Sequence, residues 1–388
     1  MLKQKNKRKL KVLHLASFSG NIGDVANHEG FYKKIREIVS VKIEQLEIRK
    51  FYKNRGEMKF DDSFVKLVNQ HDLLVLGGGG FFDLKWDYSN TGTTIDFSNK
   101  IIQEINIPVL VNGMGYHEYE DQKEQNMKKF NNFLDVITKK ENWLVSVRND
   151  GSLTRIFERY GKFADRILSV PDNGFFFDPK EYSNFVLKNK DIVWVGLNIT
   201  NELFSKSFNR ELDVTSFNDK ISQFIDRILK ENNDFKIILF PHVYQDIKTI
   251  SLVLDKIEDK YKREKIMVAP LFMEKESVGK IFDLYRVCDC VIGMRFHTNV
   301  CCIGMNIPTI GLASHRQVLS LYEELGLSDR CVKVDSNKFT DELENKLKNS
   351  IVNAEKIKQE YFKINVSLNL RADKYYKKIK SFIEKYIS

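Results

Sequence analysis

Short apolar runs alternate with amphipathic segments along the first half of the chain. Between the runs lie segments with the apolar spacing of helices, such as 24–38 and 121–139. Continuous apolar strands separated by amphipathic helices predict a parallel sheet that is covered by helices on both faces. The predicted strands of this half are residues 11–18, 41–48, 72–77, 108–112, 143–148 and 167–170.

The same alternation begins again after residues 170–191, a segment rich in polar residues and turn formers. We therefore predict an α/β fold with two doubly wound, Rossmann-like domains that face each other across a cleft. The domains should span residues 1–180 and 181–338, and helices over 339–388 should pack on or across them. The predicted strands of the second half are residues 192–199, 236–243, 265–269, 290–294, 308–313 and 331–335.

The composition is that of a folded globular protein. Its 388 residues are 42% hydrophobic and 30% charged, which suits a chain long enough for two domains. The net charge of +9 favours anionic ligands, but no recognisable nucleic-acid-binding module accompanies it. No apolar segment approaches the roughly 20 residues needed to cross a bilayer. The basic start of the chain leads into a strand pattern without a cleavage motif, so we expect a cytoplasmic protein.

The five cysteines indicate core packing instead of a metal centre. Their number is odd and no secretion signal precedes them, which argues against a disulfide framework. Cys288 and Cys290 share a predicted strand, and Cys301 and Cys302 are adjacent on a predicted helix. Such neighbours point in divergent directions, and no His/Cys spacing completes a tetrahedral set. We expect buried thiols and no metal site.

Glycine-rich turns follow two strands of the first half, at the sheet edge where doubly wound folds bind their ligands. The sequence GNIGD at 20–24 could turn helix amides toward an anion, although capping by its asparagine is an alternative. The four glycines at 77–80 could admit a ligand, or could simply form a tight turn. Neither segment matches a dinucleotide or P-loop pattern. The candidate ligand contacts are Gly20, Asn21, Gly78 and Gly79.

Four larger side chains lie near the predicted strand ends of the same half. Asp83 follows the glycines, and Trp86 lies in a polar loop that could present a sugar-stacking surface. His117 follows the next strand and is either catalytic or an ordinary loop histidine. Arg148 ends the fifth strand, where burial requires an anionic partner. That partner could be a bound anion or a carboxylate of the protein.

Arg295 and His297 follow the strand at 290–294 and directly precede an apolar helix pattern. A guanidinium group, an imidazole and free helix amides all favour negative charge at one point. A core histidine beside an ion pair is the alternative. Because three anion-favouring features coincide, we predict an anion-binding site here.

The order of these motifs resembles that of the polysaccharide pyruvyltransferase family. The resemblance covers roughly residues 12–330, and its most specific part is the Arg-x-His motif at 295–297. The matching elements, in family order, are GNIGD at 20–24, LGGGG at 76–80, PVLVNGMGY at 108–116, VSVRNDGS at 145–152, VPDNGF at 170–175 and GMRFH at 293–297.

The resemblance implies a GT-B-like fold and a ketal pyruvyltransferase activity. Such an enzyme transfers a pyruvyl group from phosphoenolpyruvate to two sugar hydroxyls and releases phosphate, with no metal or other cofactor. The implied donor contacts are Arg148, Arg295, Phe296 and His297. The catalytic candidates are Arg295, His297 and Asp83, where His297 is either an acid or a phosphate ligand. The candidates for cleft or acceptor contacts are Gly20, Asn21, Gly78, Gly79, His117 and Trp86.

The implied acceptor is a saccharide of a cell-surface polysaccharide precursor, which could be carried on a lipid diphosphate. Basic segments at both ends of the chain could then contact the inner membrane face. A GT-B glycosyltransferase with a nucleotide-sugar donor is the alternative, for which Glu274 or Glu276 would grip the ribose. A non-catalytic saccharide-binding protein is a third possibility, and the intact Arg295 and His297 argue against it.

Overall fold

The structure is a computed structural model that describes residues 8–119, 122–161, 163–179, 191–202, 212–272, 274–335 and 337–387. Its strands are β1 (Leu10–Ala16), β2 (Val41–Glu47), β3 (Leu73–Gly77), β4 (Phe82–Asp83), β5 (Val109–Met114), β6 (Tyr116–His117), β7 (Trp143–Arg148), β8 (Leu168–Val170), β9 (Val193–Asn198), β10 (Phe235–Leu239), β11 (Ile266–Val268), β12 (Cys290–Gly293), β13 (Thr309–Ala313) and β14 (Cys331–Lys333).

The α-helices connect these strands and complete the C-terminal part. They are α1 (Ile22–Ile38), α2 (Asp62–Val68), α3 (Asn99–Glu104), α4 (Glu124–Ile137), α5 (Ser152–Tyr160), α6 (Val214–Glu231), α7 (Tyr244–Leu254), α8 (Asp259–Glu264), α9 (Lys275–Tyr285), α10 (Phe296–Gly304), α11 (Arg316–Glu324), α12 (Phe339–Val352) and α13 (Ala354–Tyr386). In the part of the chain that the structure describes, no helix is both long and apolar enough to span a membrane.

The chain forms two compact units. The first comprises the residues up to Phe18, then His28–Asn173, and the residues from Asn369 onward. The second comprises Ser19–Asn27 and Gly174–Leu368. Each unit has its own hydrophobic core, as expected for a chain of this length.

The units interleave along the chain, which the contiguous predicted ranges 1–180, 181–338 and 339–388 did not anticipate. The first turns of α1 pack in the second unit, where Ile22 and Val25 join its core. Helix α13 contributes residues to both units. A run of apolar residues shows that a helix buries one face, but it does not show which sheet it will cover.

The first unit contains a parallel six-stranded sheet in the order β2-β1-β3-β5-β7-β8. This is the flavodoxin-like order, in which the direction of winding reverses between the first and third strands. Strand β3 is buried along its whole length, as expected for a central parallel strand between two helical layers.

The second unit contains a parallel six-stranded sheet in the order β11-β10-β9-β12-β13-β14. Counted from β9, this is the 3-2-1-4-5-6 order of the Rossmann fold, with its switch point between β9 and β12. The predicted α/β fold with two doubly wound, Rossmann-like parts is therefore confirmed.

One predicted strand is shorter than the sequence pattern suggests. The apolar run at 236–243 forms a strand only to Leu239, although the Phe240 N–H still donates to the Leu197 carbonyl at 2.9 Å. The next residue, Pro241, has no N–H for the ladder. His242 consequently lies beyond the strand end, in the turn before α7.

All five cysteines are buried, as predicted for core thiols. Burial also raises the pKa of the Cys290 thiol to about 12, so it stays protonated at neutral pH.

Within the first unit, α13 is held by a buried tyrosine. The Tyr375 hydroxyl donates to Asn112 Oδ1 at 2.9 Å and lies 2.8 Å from Ser146 Oγ. Asn112 and Ser146 belong to the central strands β5 and β7, so this contact ties the helix to the middle of the sheet.

We predict that Tyr375→Phe lowers the free energy of unfolding by about 1–3 kcal/mol, because it leaves a buried Asn112 acceptor without its donor. Urea unfolding followed by circular dichroism would measure the change. Lys377→Gln, on the exposed side of the same helix, is the control and should stay within about 0.5 kcal/mol. Equal stability of Tyr375→Phe and the unmodified chain would contradict the prediction.

Candidate active site

Arg295 lies at the switch point of the second sheet. Strands β9 and β12 end at Asn198 and Gly293, and the Arg295 N–H donates to Asn198 Oδ1 at 2.9 Å. Parallel sheets bind ligands beyond the carboxyl ends of the strands at this point, because the connections leave in opposite directions and open a crevice. The predicted anion site is thus at the position that the topology favours.

The guanidinium of Arg295 is held by a buried carboxylate. Its Nε and Nη2 donate to the two oxygens of Asp246, both at 2.7 Å, and Asp246 is fully buried. Nη2 also reaches Glu202 at 2.7 Å and Thr200 Oγ1 at 3.2 Å. Among the described residues, all side-chain hydrogen bonds of Arg295 use Nε and Nη2. The remaining nitrogen, Nη1, can therefore serve a ligand.

Asp246 also accepts hydrogen bonds from the backbone of the turn before α7. One of its oxygens accepts the N–H groups of His242 at 2.9 Å and Val243 at 3.3 Å, which closes the first turn of the helix. Burial by itself would raise the pKa of Asp246, but the hydrogen bonds from Arg295 outweigh burial and hold the pKa below its usual value. The carboxylate is thus charged and fixed, and it fixes the arginine.

His242 is completely buried beside this pair. Its Nε2 lies 2.8 Å from the Tyr285 hydroxyl and 3.3 Å from Thr298 Oγ1. Burial lowers the pKa of His242 to about 3, and the positive charge of Arg295 acts in the same direction, against the attraction of Asp246. The imidazole is therefore neutral at physiological pH.

His297 lies in the first turn of α10 and is almost fully buried. Its Nδ1 is 3.8 Å from Asp24 Oδ1, a distance that charge attraction can bridge but a hydrogen bond cannot. A Cβ on Gly23 would lie only 2.6 Å from His297 Cβ, so this position needs glycine. Two motifs that are far apart in sequence, GNIGD and Arg-x-His, are thus in direct contact within the second unit.

Three other predicted contacts, Asn21, Gly20 and Phe296, lie near this site. Asn21 Oδ1 accepts the Gly23 N–H at 2.9 Å, which is the capping alternative given above. Gly20 is exposed with a φ of 79°, a left-handed conformation that glycine adopts at little cost. Phe296 is buried, with its ring centroid 5.3 Å from that of His297.

In the first unit, Arg148 is paired with carboxylates of the protein. It is 3% exposed, and it donates to Asp150 Oδ2 at 2.8 Å and Asp172 Oδ2 at 3.4 Å, both fully buried. A Cβ on Gly115 would lie 2.6 Å from its Nη2. This geometry favours the structural salt bridge over contact with the donor, which stays a prediction.

The glycines at 77–80 allow close backbone contacts. Gly77 and Gly78 have positive φ, and the Gly78 N–H donates to the Asn112 carbonyl at 3.1 Å. Gly79 accepts a hydrogen bond from the Gly115 N–H at 2.9 Å. A Cβ on Gly80 would lie 2.5 Å from His117 Nε2. Residues 77–80 thus pack closely against other residues of the first unit, as the tight-turn alternative requires.

Asp83 and His117 are neighbours across the short sheet of β4 and β6. Asp83 is buried, with Oδ2 at 2.8 Å from Lys85 Nζ. Trp86 is partly buried, and its ring centroid lies 4.9 Å from that of Tyr52 and 5.8 Å from that of Tyr88. The predicted acceptor residues of this loop therefore belong to one local region of the first unit.

The sequence profile of the polysaccharide pyruvyl transferase family matches residues 21–316, more than half of the chain. The chain belongs to this family. The match extends from the GNIGD segment, in contact with His297, past the Arg-x-His motif. No curated protein sequence gives a significant match.

Solved structures show that the chain has the GT-B fold, with two Rossmann-like domains. A glycosyltransferase from Rickettsia africae is 13% identical with a TM-score of 0.57, covering 97% of this chain and 99% of that one. The Anabaena protein HepE, in complex with UDP and glucose, is 12% identical with a TM-score of 0.55, covering 97% and 100%. S. aureus MnaA, in complex with UDP, is 8% identical with a TM-score of 0.53, covering 91% and 90%. At these identities the likeness concerns the fold alone.

The structure gives little support to the ribose-binding carboxylate expected of a nucleotide-sugar glycosyltransferase. Glu274 is an exposed residue that precedes α9 and makes no side-chain cap. The side chain of Glu276 lies outside the described residues. Among the described residues, no group of three or more His, Cys, Asp or Glu side chains could hold a metal ion.

Sequence reasoning did not identify Asp246 as part of the candidate site. The residue lies four positions after His242, which the pattern places near a strand end. A carboxylate at the third position of a helix that follows a strand end is a capping signal, and it could have drawn attention to Asp246. Its pairing with Arg295, 49 residues further along, is visible only in the folded chain.

We predict that the imidazole of His242 stays neutral between pH 8 and about pH 5 in the native protein. In the unfolded chain a histidine takes up a proton below about pH 6.5, whereas native His242 does so only near pH 3. Stability should therefore fall as the pH is lowered below about 6.5, by up to about 1.4 kcal/mol per pH unit from this residue.

NMR of the imidazole Cε1–H signal, assigned by its loss in His242→Gln, would follow the protonation state directly. Urea unfolding at pH 7.0 and pH 5.5 would measure the stability change, which should be smaller in His242→Gln. A midpoint of the native His242 signal near pH 6 would refute the prediction.

Proposed function

We propose that this protein transfers a pyruvyl group from phosphoenolpyruvate to two hydroxyls of a sugar, forming a cyclic ketal and releasing phosphate. The observation that carries the proposal is the placement of Arg295 and His297 at the switch point of the second sheet, beside the GNIGD segment. Membership in the polysaccharide pyruvyl transferase family gives the reaction class.

The donor would bind at Arg295 and the first turn of α10. Phosphoenolpyruvate carries a carboxylate and a phosphate close together, and a guanidinium can donate to either. Arg295 keeps Nη1 for this purpose while Asp246 holds Nε and Nη2. Arg295 is also the N-cap of α10, so the positive end of the helix adds to the attraction for an anion.

Ketal formation requires two protons to be moved. One proton is added to the methylene carbon, which becomes a methyl group, and the neighbouring carbon becomes oxocarbenium-like. One sugar hydroxyl attacks that carbon, the C–O bond to phosphate breaks, and the second hydroxyl attacks to close the ketal. The two hydroxyls lose two protons in all, which balance the new C–H bond and the protonated phosphate. Histidine can exchange such protons near neutral pH.

We assign His297 to the donor, as an acid or as a phosphate ligand. His242 is less suited to proton transfer near neutral pH, because burial lowers its pKa to about 3 and makes it a weak base. Asp83 and His117, adjacent across β4 and β6, are the candidates for accepting the hydroxyl proton. No metal ion is required for any of these steps.

The acceptor would be a saccharide of a cell-surface polysaccharide precursor, carried on a lipid diphosphate at the inner face of the membrane. Helix α13 offers exposed lysines, among them Lys374, Lys377 and Lys378, that could contact anionic headgroups. The basic segment at residues 1–7 lies outside the described residues. The protein would thus act in the cytoplasm, with peripheral contact to the membrane.

We predict that Arg295→Lys lowers kcat/KM for phosphoenolpyruvate by about 100-fold or more. A lysine cannot keep the bidentate contact with Asp246 and also present a second donor to the substrate. Phosphate release in the presence of a glycoside panel would measure the rate, and mass spectrometry would identify a product that carries a pyruvyl ketal.

Arg286→Lys is the matched control, because Arg286 also pairs with aspartates, Asp178 at 3.1 Å and Asp283 at 3.2 Å, but its side chain is 32% exposed. It should keep its activity within about twofold. Unchanged turnover in Arg295→Lys would contradict the assignment of Arg295 to donor binding. Activity only with a nucleotide sugar would instead identify a glycosyltransferase.

We predict that Asp246→Asn raises KM for phosphoenolpyruvate by about tenfold or more, with a smaller change in kcat. An asparagine of the same shape cannot accept at both oxygens, so Arg295 would lose its fixed orientation. Asp213→Asn is the control, since Asp213 caps α6 through the Ser216 N–H at 2.7 Å without touching Arg295. If both variants lose stability but neither changes KM, Asp246 has only a structural role.

A further inference from the structure

A second carboxylate occupies part of the donor edge of Arg295 that a ligand needs. A guanidinium can grip an anion with two parallel N–H groups, either from Nε and Nη2 or from Nη1 and Nη2. Asp246 takes the first of these forks, with its two oxygens at 2.7 Å from Nε and Nη2. The fork of Nη1 and Nη2 is left for a ligand, but Glu202 Oε2 already lies 2.7 Å from Nη2.

The turn after β9 directs Glu202 toward Arg295. The Glu202 N–H donates to Thr200 Oγ1 at 3.2 Å, and Thr200 is buried. The Asn201 N–H donates at 3.1 Å to the hydroxyl of Thr249, a buried residue of α7. The backbone of this turn is therefore held at both the strand end and the helix, and the carboxylate lies at the switch point of the second sheet.

The two carboxylates on Arg295 differ in how firmly they are held. The Asp246 side chain is completely buried and also accepts two backbone N–H groups. The Glu202 side chain is 46% exposed, and within the described ranges its carboxylate contacts only Arg295. Ion pairs of exposed side chains contribute little, because solvent competes for both partners. An incoming anion can therefore displace Glu202, whereas Asp246 stays.

The balance of charge also requires this displacement. In the free protein two carboxylates, Asp246 and Glu202, face the single positive charge of Arg295. A further anion at the same guanidinium would be repelled by the negative charge in excess. Once the Glu202 side chain turns into solvent, its charge is screened, and the N-terminus of α10 adds to the attraction for the anion.

We propose that Glu202 is a built-in competitor, which an anionic ligand must displace from Arg295 in order to bind. The carboxylate or phosphate of the ligand takes Nη1 and Nη2 together, and the Glu202 side chain moves into solvent. Glu202 thus sets how strong the other contacts of a ligand must be. Naming phosphoenolpyruvate as the ligand rests on the proposed function, whereas the competition applies to any anion that grips this fork.

Isothermal titration calorimetry of the full chain, with inorganic phosphate and phosphoenolpyruvate as probes, tests the competition directly. Glu202→Gln keeps the shape of the side chain and removes its charge. We expect this variant to bind both anions about three- to tenfold more tightly than the unmodified chain. Glu202→Ala, which also removes the acceptor atom, should gain at least as much. Unchanged or weaker affinity in the folded variants would overturn the proposal.

Glu360→Gln is the matched control. Glu360 pairs with Arg330 in the same unit, and the exposed fractions of these side chains, 40% and 13%, are close to the 46% and 12% of Glu202 and Arg295. Arg330 directly precedes β14, so this pair lies at the amino end of a strand, away from the switch point. An equal gain of affinity in Glu360→Gln would show a general effect of net charge and contradict the competition.

A double-mutant cycle shows whether Glu202 acts through Arg295. Arg295→Lys should bind phosphate weakly, and adding Glu202→Gln to it should change the affinity by less than about twofold, because the fork is no longer there. A full gain of affinity in the Arg295→Lys background would refute the competition for this fork. Thermal unfolding of every variant identifies any that has lost its fold.

Turnover measurements separate this proposal from the proposed function. Tighter phosphate binding in Glu202→Gln, without phosphate release from phosphoenolpyruvate in the presence of glycosides, would leave the competition standing and remove the reaction. Phosphate release with an unchanged KM for phosphoenolpyruvate and an unchanged phosphate affinity in Glu202→Gln would support the reaction and exclude the competition.

Discussion

The bidentate pair between Asp246 and Arg295 is the interaction on which the site of the second unit depends. A buried carboxylate is costly unless its charge and lone pairs are satisfied, and here the two nitrogens of Arg295 and two backbone N–H groups satisfy them. The same contacts close the first turn of α7, fix the backbone at His242 and orient the guanidinium of Arg295. Removing one member would therefore disturb the helix, the turn and the anion site together.

The two units use an arginine at a strand end in different ways. Arg148 faces two fully buried carboxylates and is 3% exposed, so its charge is neutralised within the fold. Arg295 faces one fully buried carboxylate, and its second carboxylate partner, Glu202, is 46% exposed. An exposed partner is weakly held, since solvent competes with it. A ligand anion can replace Glu202 at modest cost, which favours Arg295 over Arg148 as the anion-binding residue.

Much of the fold follows from the sequence, because a parallel strand buried on both faces reads as a continuous apolar run. The Arg-x-His motif was also visible, since its position after such a run fixes it at a sheet edge. The roles of Asp246 and Gly23 were not visible. Each depends on a contact with a residue distant in sequence, Arg295 or His297. Nor could the pattern show that residues 19–27 pack with the second unit, because apolar spacing does not specify the partner sheet.

The packing of residues 19–27 with the second unit explains why position 23 of the GNIGD segment is a glycine. His297 lies against Gly23 at a distance that excludes a Cβ, and Asp24 lies 3.8 Å from His297 Nδ1. The Ile22 N–H, one residue earlier, donates to the His242 carbonyl at 3.3 Å. One short segment thus contacts both histidines of the site. A side chain at position 23 would displace the ring of His297. The GNIGD segment therefore determines the position of the histidine in the Arg-x-His motif.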